Sequence, residues 1–71
     1  MNTSPVYRLY GESSAPAEII RAMALCAYER LPFYYSGRKR IIRVESRNRC
    51  KMQELEVEFR GIGLKTNIKH C

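Results

Sequence analysis

Hydrophobic and polar residues follow two different periods along this chain. Residues 6–10 alternate around Arg8, and this period of two predicts a short strand. Residues 17–30 instead carry apolar side chains at steps of three and four, which predicts one amphipathic helix. The helix is expected to begin at Pro16 and to end before Pro32, because proline suits the first helical turn and stops a helix further on. The predicted buried stripe consists of Ile20, Met23, Ala24, Ala27 and Leu31.

The second half of the chain has the period of a strand in three places. Residues 40–46 predict a strand with Ile42 and Val44 on its inner face. Residues 52–60 alternate most regularly, and residues 64–69 alternate after a glycine-containing turn at 61–63. In the middle one of these strands the predicted inner residues are Leu55, Val57 and Phe59, and the outer ones are Glu54, Glu56 and Glu58.

The predicted order of elements is therefore β-α-β-β-β. The connections at 46–51 and 61–63 are short, so the last three strands are expected to form an antiparallel meander, with 46–51 as a hairpin loop. One helix would cover one face of this sheet and leave the other face in water. The sequence predicts a small two-layer α+β domain, with a mainly antiparallel four-stranded sheet, that uses all of residues 1–71.

The positive charge of the chain is concentrated in residues 38–51. The chain carries a formal net charge of +6, and outside this segment six basic and six acidic residues cancel. Inside it, the only acid is Glu45. The seven basic residues are Arg38, Lys39, Arg40, Arg43, Arg47, Arg49 and Lys51. A local field of this kind attracts polyanions or acidic protein surfaces.

On the predicted strand the charges form a row on the solvent face. With Ile42 and Val44 inward, the outward residues are Lys39, Ile41, Arg43, Glu45 and Arg47, over about 26 Å. Arg49 and Lys51 would extend the row into the hairpin loop. Such a row can follow a phosphate backbone, and arginine favours bidentate contacts with phosphate or carboxylate. The alternative is that Glu54, Glu56 and Glu58 on the neighbouring strand neutralise its middle and leave only the two ends basic.

Aromatic residues precede the basic segment. Phe33, Tyr34 and Tyr35 are followed closely by Arg38, and rings interleaved with arginine are typical of single-stranded nucleic-acid sites. The alternative is that two of the three rings pack beneath the end of the helix. Tyr7 and Tyr10 on the first strand have the same two interpretations.

Catalytic and metal-binding residues are scarce in the sequence. The chain has no Asp, and its one histidine, His70, lies near the C-terminus. Three cysteines (Cys26, Cys50 and Cys71) lack C-x-x-C spacing, which favours free thiols in a reducing compartment such as the cytoplasm. Cys26 is expected to be buried. No metal, cofactor or membrane span is predicted.

These observations predict a small non-enzymatic basic binding protein. The favoured partner is nucleic acid, DNA or RNA, and the alternative is an acidic protein surface, with the chain acting as a regulator or inhibitor of a larger enzyme. A third interpretation is a homodimer that pairs the exposed edge of the first or the last strand. The candidate binding residues are Arg38, Lys39, Arg40, Arg43, Arg47, Arg49, Lys51, Tyr34 and Tyr35.

Overall fold

The structure, a computed structural model, describes residues 6–70 and contains a four-stranded antiparallel sheet with two helices. The predicted α+β class is confirmed, whereas the predicted element order is wrong. The elements along the chain are β1 (Tyr7–Glu12), α1 (Pro16–Tyr28), β2 (Phe33–Ser36), β3 (Ile41–Ser46), α2 (Arg49–Ile62) and β4 (Lys65–His70).

The strands lie in the order β2-β3-β1-β4, so the chain is two interleaved split β-α-β units. Strand β3 lies between β1 and β2, and β1 lies between β3 and β4. Both helices pack on one face of the sheet, against the buried residues Leu9, Ile42 and Val44. The edges of the sheet are β2 and β4. An edge at the last strand was therefore predicted correctly, but the first strand is central and has no free edge.

Helix α1 begins at Pro16, as predicted, but turns a different side to the sheet. Its fully buried residues are Ile19, Ala22 and Cys26. Of the predicted stripe, Met23 and Leu31 are partly buried against the core, whereas Ile20 is 60% exposed. Both sets of positions are apolar and both have helical spacing, so the periodicity of α1 alone does not select one of them. The burial of Cys26 is confirmed.

The predicted strand at 52–60 is wrong, because this segment forms most of helix α2. The buried residues are Met52, Leu55 and Phe59, at steps of three and four, and Val57 is 66% exposed. The apparent alternation arose because Val57 lies between two core positions of a helix. Glu54, Glu56 and Glu58 consequently lie on a helix and not on a strand beside Arg43.

The predicted hairpin loop at 46–51 is instead the start of α2. The backbone N–H of Lys51 donates to Oδ1 of Asn48 at 3.1 Å, so Asn48 is the N-cap. At the other end, Gly63 has a φ of 120° and ends the helix in the left-handed conformation that favours glycine. The predicted turn at 61–63 thus contains the helix end.

Strand β2 forms at Phe33–Ser36, where the sequence analysis predicted no strand. Phe33 pairs with Val44, and Ser36 pairs with Ile41 at the turn into β3. This places the aromatic run on the sheet edge beside the basic segment. The alternation of side chains along β2 then sends Tyr34 to one face and Tyr35 to the other.

Gly11 allows α2 to approach the central strand. A Cβ atom at this position would lie 2.8 Å from Cδ2 of Leu64 and 2.9 Å from Cδ2 of Phe59. Such contacts are too short for any side chain, so the glycine determines how closely the helix layer packs on β1. This packing occupies only one side of β1.

We predict unequal losses of stability for two neighbouring aliphatic residues of α2. Leu55→Ala should lower the free energy of unfolding by about 2–5 kcal/mol, because it opens a cavity in the core. Val57→Ala should change it by less than about 0.5 kcal/mol, because Val57 faces solvent and alanine favours helix. Urea denaturation followed by circular dichroism measures both values. Equal losses would indicate a strand at this position and contradict the helix.

A second prediction concerns the dependence of stability on pH. Burial raises the pKa of the Cys26 thiol from 9.0 to about 11. Between these values the unfolded chain loses the thiol proton and the folded chain keeps it. Stability should therefore fall as pH rises from about 9 to 11, by up to about 2 kcal/mol at about pH 10.5. Cys26→Ala is the control, and its urea midpoint should fall less over this range. The same fall in both proteins would contradict the assignment.

Candidate nucleic-acid interface

The sheet has one face that points away from both helices, which we call the open face. Leu9, Ile42 and Val44 point into the core, so their neighbours along the strands point outward. The open face consists of Arg8, Tyr10, Glu12, Tyr34, Ser36, Ile41, Arg43, Glu45, Lys65, Asn67 and Lys69. It carries four cationic and two anionic side chains, and so has a positive net charge.

A row of four residues crosses the middle of the open face. Arg43 pairs with Tyr34 on one side and with Tyr10 on the other, and Tyr10 pairs in turn with Asn67. The guanidinium carbon of Arg43 lies 4.6 Å from the centre of the Tyr34 ring, and Nζ of Lys69 lies 5.5 Å from that of Tyr10. Both tyrosines therefore have a cation over the ring. A depression of about 310 Å³ in this region is lined by residues that include Tyr10, Tyr34, Lys39, Ile41 and Arg43.

The charge of Arg43 is balanced by Glu45 and not by the glutamates of α2. Oε1 of Glu45 lies 3.5 Å from Nε of Arg43 and 3.2 Å from Nε of Arg8. The predicted neutralisation by Glu54, Glu56 and Glu58 is therefore wrong. Nε of Arg43 is buried and faces Glu45, so the terminal Nη groups of the guanidinium are the donors that can still bind an acceptor.

The connection between β2 and β3 carries three exposed cations, Arg38, Lys39 and Arg40, which we call the basic turn. The backbone N–H of Lys39 donates to Oγ of Ser36 at 3.4 Å. Arg40 has a φ of 54°, and its Nη1 donates to the backbone oxygen of Ser14 at 3.3 Å. In the described part of the chain no carboxylate forms an ion pair with the basic turn. The turn is thus held in place while its charges remain available.

The remaining basic residues of the segment 38–51 lie at the other end of β3. Arg47 is exposed in the loop before α2, and Arg49 is the first residue of α2. Nζ of Lys51 donates to Oε2 of Glu29 at 2.8 Å, and this hydrogen bond is the main reason that the pKa of Lys51 is raised. Lys51 therefore joins α2 to the end of α1. The predicted continuous row is divided into two separate basic ends.

Arg49 also belongs to a second cavity, on the helix side of the sheet. This cavity has a volume of about 420 Å³ and includes Met52 and Ile68. The rings of Tyr7 and His70 also line it, and their centres lie 5.1 Å apart. Arg49 is consequently not continuous with the open face.

The two candidate tyrosines have different positions. Tyr34 lies on the open face and is 59% exposed, as the stacking interpretation requires. Tyr35 pairs with the core residue Ile42, but it is 46% exposed and lines the same depression as Tyr34. The sequence analysis gave Tyr10 a stacking interpretation as one of two, but its list of candidate binding residues did not include Tyr10, Asn67 or Lys69. Alternation in 6–10 and 64–69 could have identified them, but only with the strand order that brings β1 and β4 beside β3.

The described residues offer little for other kinds of site. Within 6–70 no three His, Cys, Asp or Glu side chains are close enough to hold a metal ion. Cys71, one of the three cysteines considered above, lies outside the described residues. No helix in the described part of the chain is both long and apolar enough to cross a membrane. Comparison with models of protein families, with curated proteins and with solved structures found no match to this chain.

We predict that Glu45 limits the positive charge of the open face. Glu45→Gln should remove the carboxylate that lies beside Arg8 and Arg43, so the protein should elute from heparin at higher salt than the matched variant Glu58→Gln. Both changes remove one negative charge, but Glu58 lies on the exposed side of α2. Stability should change by less than about 1 kcal/mol, because these ion pairs are partly exposed. Equal elution of the two variants would contradict this role.

Proposed function

We propose that this protein is a non-enzymatic nucleic-acid-binding protein that contacts its partner through the basic turn and the open face. The observation that carries the proposal is the position of the basic turn. Its three cations have no carboxylate partner among residues 6–70, and Lys39 lines the same depression as Tyr10 and Tyr34. Charge and aromatic rings thus meet on one uncovered surface.

Phosphate contacts would supply most of the affinity. Arg38 and Arg40 can each reach a phosphate with a bidentate fork, and each contact releases counterions from the nucleic acid. Lys65 and Lys69 extend the positive surface to the far edge strand β4. The partner would therefore lie across the strands, from the basic turn toward β4.

The candidate residues of the sequence analysis divide by this geometry. Arg38, Lys39, Arg40, Arg43 and Tyr34 form the proposed site, and we add Tyr10, Asn67, Lys65 and Lys69. Arg47 and Arg49 can contact only a partner that extends past the other end of β3. Lys51 is left out, because it is paired with Glu29, and Tyr35 stays a candidate because it lines the same depression as Tyr34.

A reducing compartment such as the cytoplasm fits this function. Cys26 and Cys50 are both free thiols, and Cys50 is exposed. Exposed thiols persist in the cytoplasm, where disulfides are kept reduced. We propose this location together with the function.

We predict that two arginines of the basic turn set the salt dependence of binding. The variant Arg38→Ser with Arg40→Asn should bind a labelled single strand more weakly at low salt. The slope of log affinity against log salt should become shallower by about 1.4, because each lost contact removes about 0.7. Asparagine is used at position 40 because it tolerates the positive φ found there.

The matched control is Arg21→Ser with Arg30→Asn. It removes the same charge from exposed positions in and after α1, and Arg30 also has a positive φ, of 57°. The control should keep the slope of the original protein. Equal slopes for all three proteins would contradict the proposal. Binding to polyglutamate in preference to nucleic acid would instead support the alternative, an acidic protein surface.

A further inference from the structure

The row across the open face has the geometry of a base-binding site. Neighbouring strands lie about 4.8 Å apart, so the backbones at Tyr34 and Tyr10 are separated by about 10 Å, with Arg43 between them. We propose that Tyr34 and Tyr10 each stack on an unpaired nucleobase, which makes the protein selective for single strands. This inference rests on the proposed function and specifies its substrate class.

The positions of the rings support stacking. Tyr34 lies on the edge strand β2 at the end of the row and is 59% exposed, and the half-buried Tyr10 lines the same depression. A tyrosine that served only the core would have its ring on the helix side, with Leu9 or Ile42. Large aromatic rings on an uncovered sheet face provide flat apolar surfaces for bases of any sequence.

The cations beside the rings support the same ligand. Arg43 lies over one face of Tyr34 and Lys69 over one face of Tyr10, so a stacked base must take the other face of the ring or displace the cation. Each cation can contact the phosphate that accompanies a stacked base, or, for the Arg43 fork, an oxygen or nitrogen acceptor on the base edge. Asn67, opposite Tyr10, offers one further donor and acceptor pair. A base and its phosphate would thus find partners in one place.

A duplex does not fit this row. Paired bases are stacked on one another, so their flat faces cannot reach rings on the surface of a sheet without leaving the helix. Extracting a base from a duplex costs a few kcal/mol, and this cost does not arise for a single strand. The basic turn would still attract duplex phosphates, so some binding to duplexes is expected. This binding should be weaker than binding to single strands and should not depend on Tyr10 and Tyr34.

The test compares three labelled oligonucleotides by fluorescence anisotropy at one salt concentration. They are a thymidine strand of about twelve nucleotides, an abasic strand with the same number of phosphates, and a hairpin duplex. The original protein should prefer the thymidine strand to the abasic one by at least about fivefold, the lower limit for one stacked base. It should also prefer the thymidine strand to the duplex.

The variant Tyr10→Leu with Tyr34→Leu keeps apolar side chains but removes the rings. It should bind the abasic strand as before and lose the preference for thymidine. Tyr28→Leu is the control, because Tyr28 is 85% exposed on α1, and it should keep the preference. If the double variant is not folded by circular dichroism, Tyr34→Leu alone on the edge strand should reduce the preference.

The outcomes separate the two proposals. Equal affinity of the original protein for the thymidine and abasic strands would overturn base stacking and leave the phosphate-binding proposal intact. Tighter binding to the duplex than to the single strand would also overturn single-strand selectivity. Failure to bind any of the three oligonucleotides would overturn both proposals.

Discussion

The structure depends on burial on one side of the central strand β1. Leu9 is completely buried, and Gly11 has no room for a side chain beneath Phe59 and Leu64. Both helices use this side, so within residues 6–70 no helix packs on the other side of β1. Arg8 and Tyr10 on the same strand therefore point to the open face. The open face follows from the same packing that stabilises the fold.

The fold could be predicted from the sequence as a class but not as an arrangement. Helix α1 and strands β1, β3 and β4 follow from their periods, whereas α2 does not. Leu55, Val57 and Phe59 alternate like a strand, but Met52, Leu55 and Phe59 also fit a helix, and only packing distinguishes the two patterns. Asn48 and Gly63 are the residues in the sequence that indicate helix α2, because asparagine suits the start of a helix and glycine suits its end.

Only part of the candidate site could be predicted, because some of its residues are close together in the sequence and others are brought together only by the fold. The basic turn, Arg43 and Tyr34 could be identified because they lie within one segment of the sequence. Tyr10 and Lys69 could not, because they reach the site through strand order, which places β1 and β4 after β3 across the sheet. The pairing of Lys51 could not be predicted, since its partner Glu29 is 22 residues away and is brought near by the contact between the helices.

The central claim is that the uncovered face of the sheet is the binding surface. Titration of the ¹⁵N-labelled protein with a short thymidine oligonucleotide, followed by ¹H–¹⁵N correlation spectra, tests it most directly. The account predicts the largest shift changes at Tyr10, Tyr34, Lys39 and Arg43, with the exposed side of α1 unchanged. Changes confined to α1, or to the cavity beside Arg49, would contradict it.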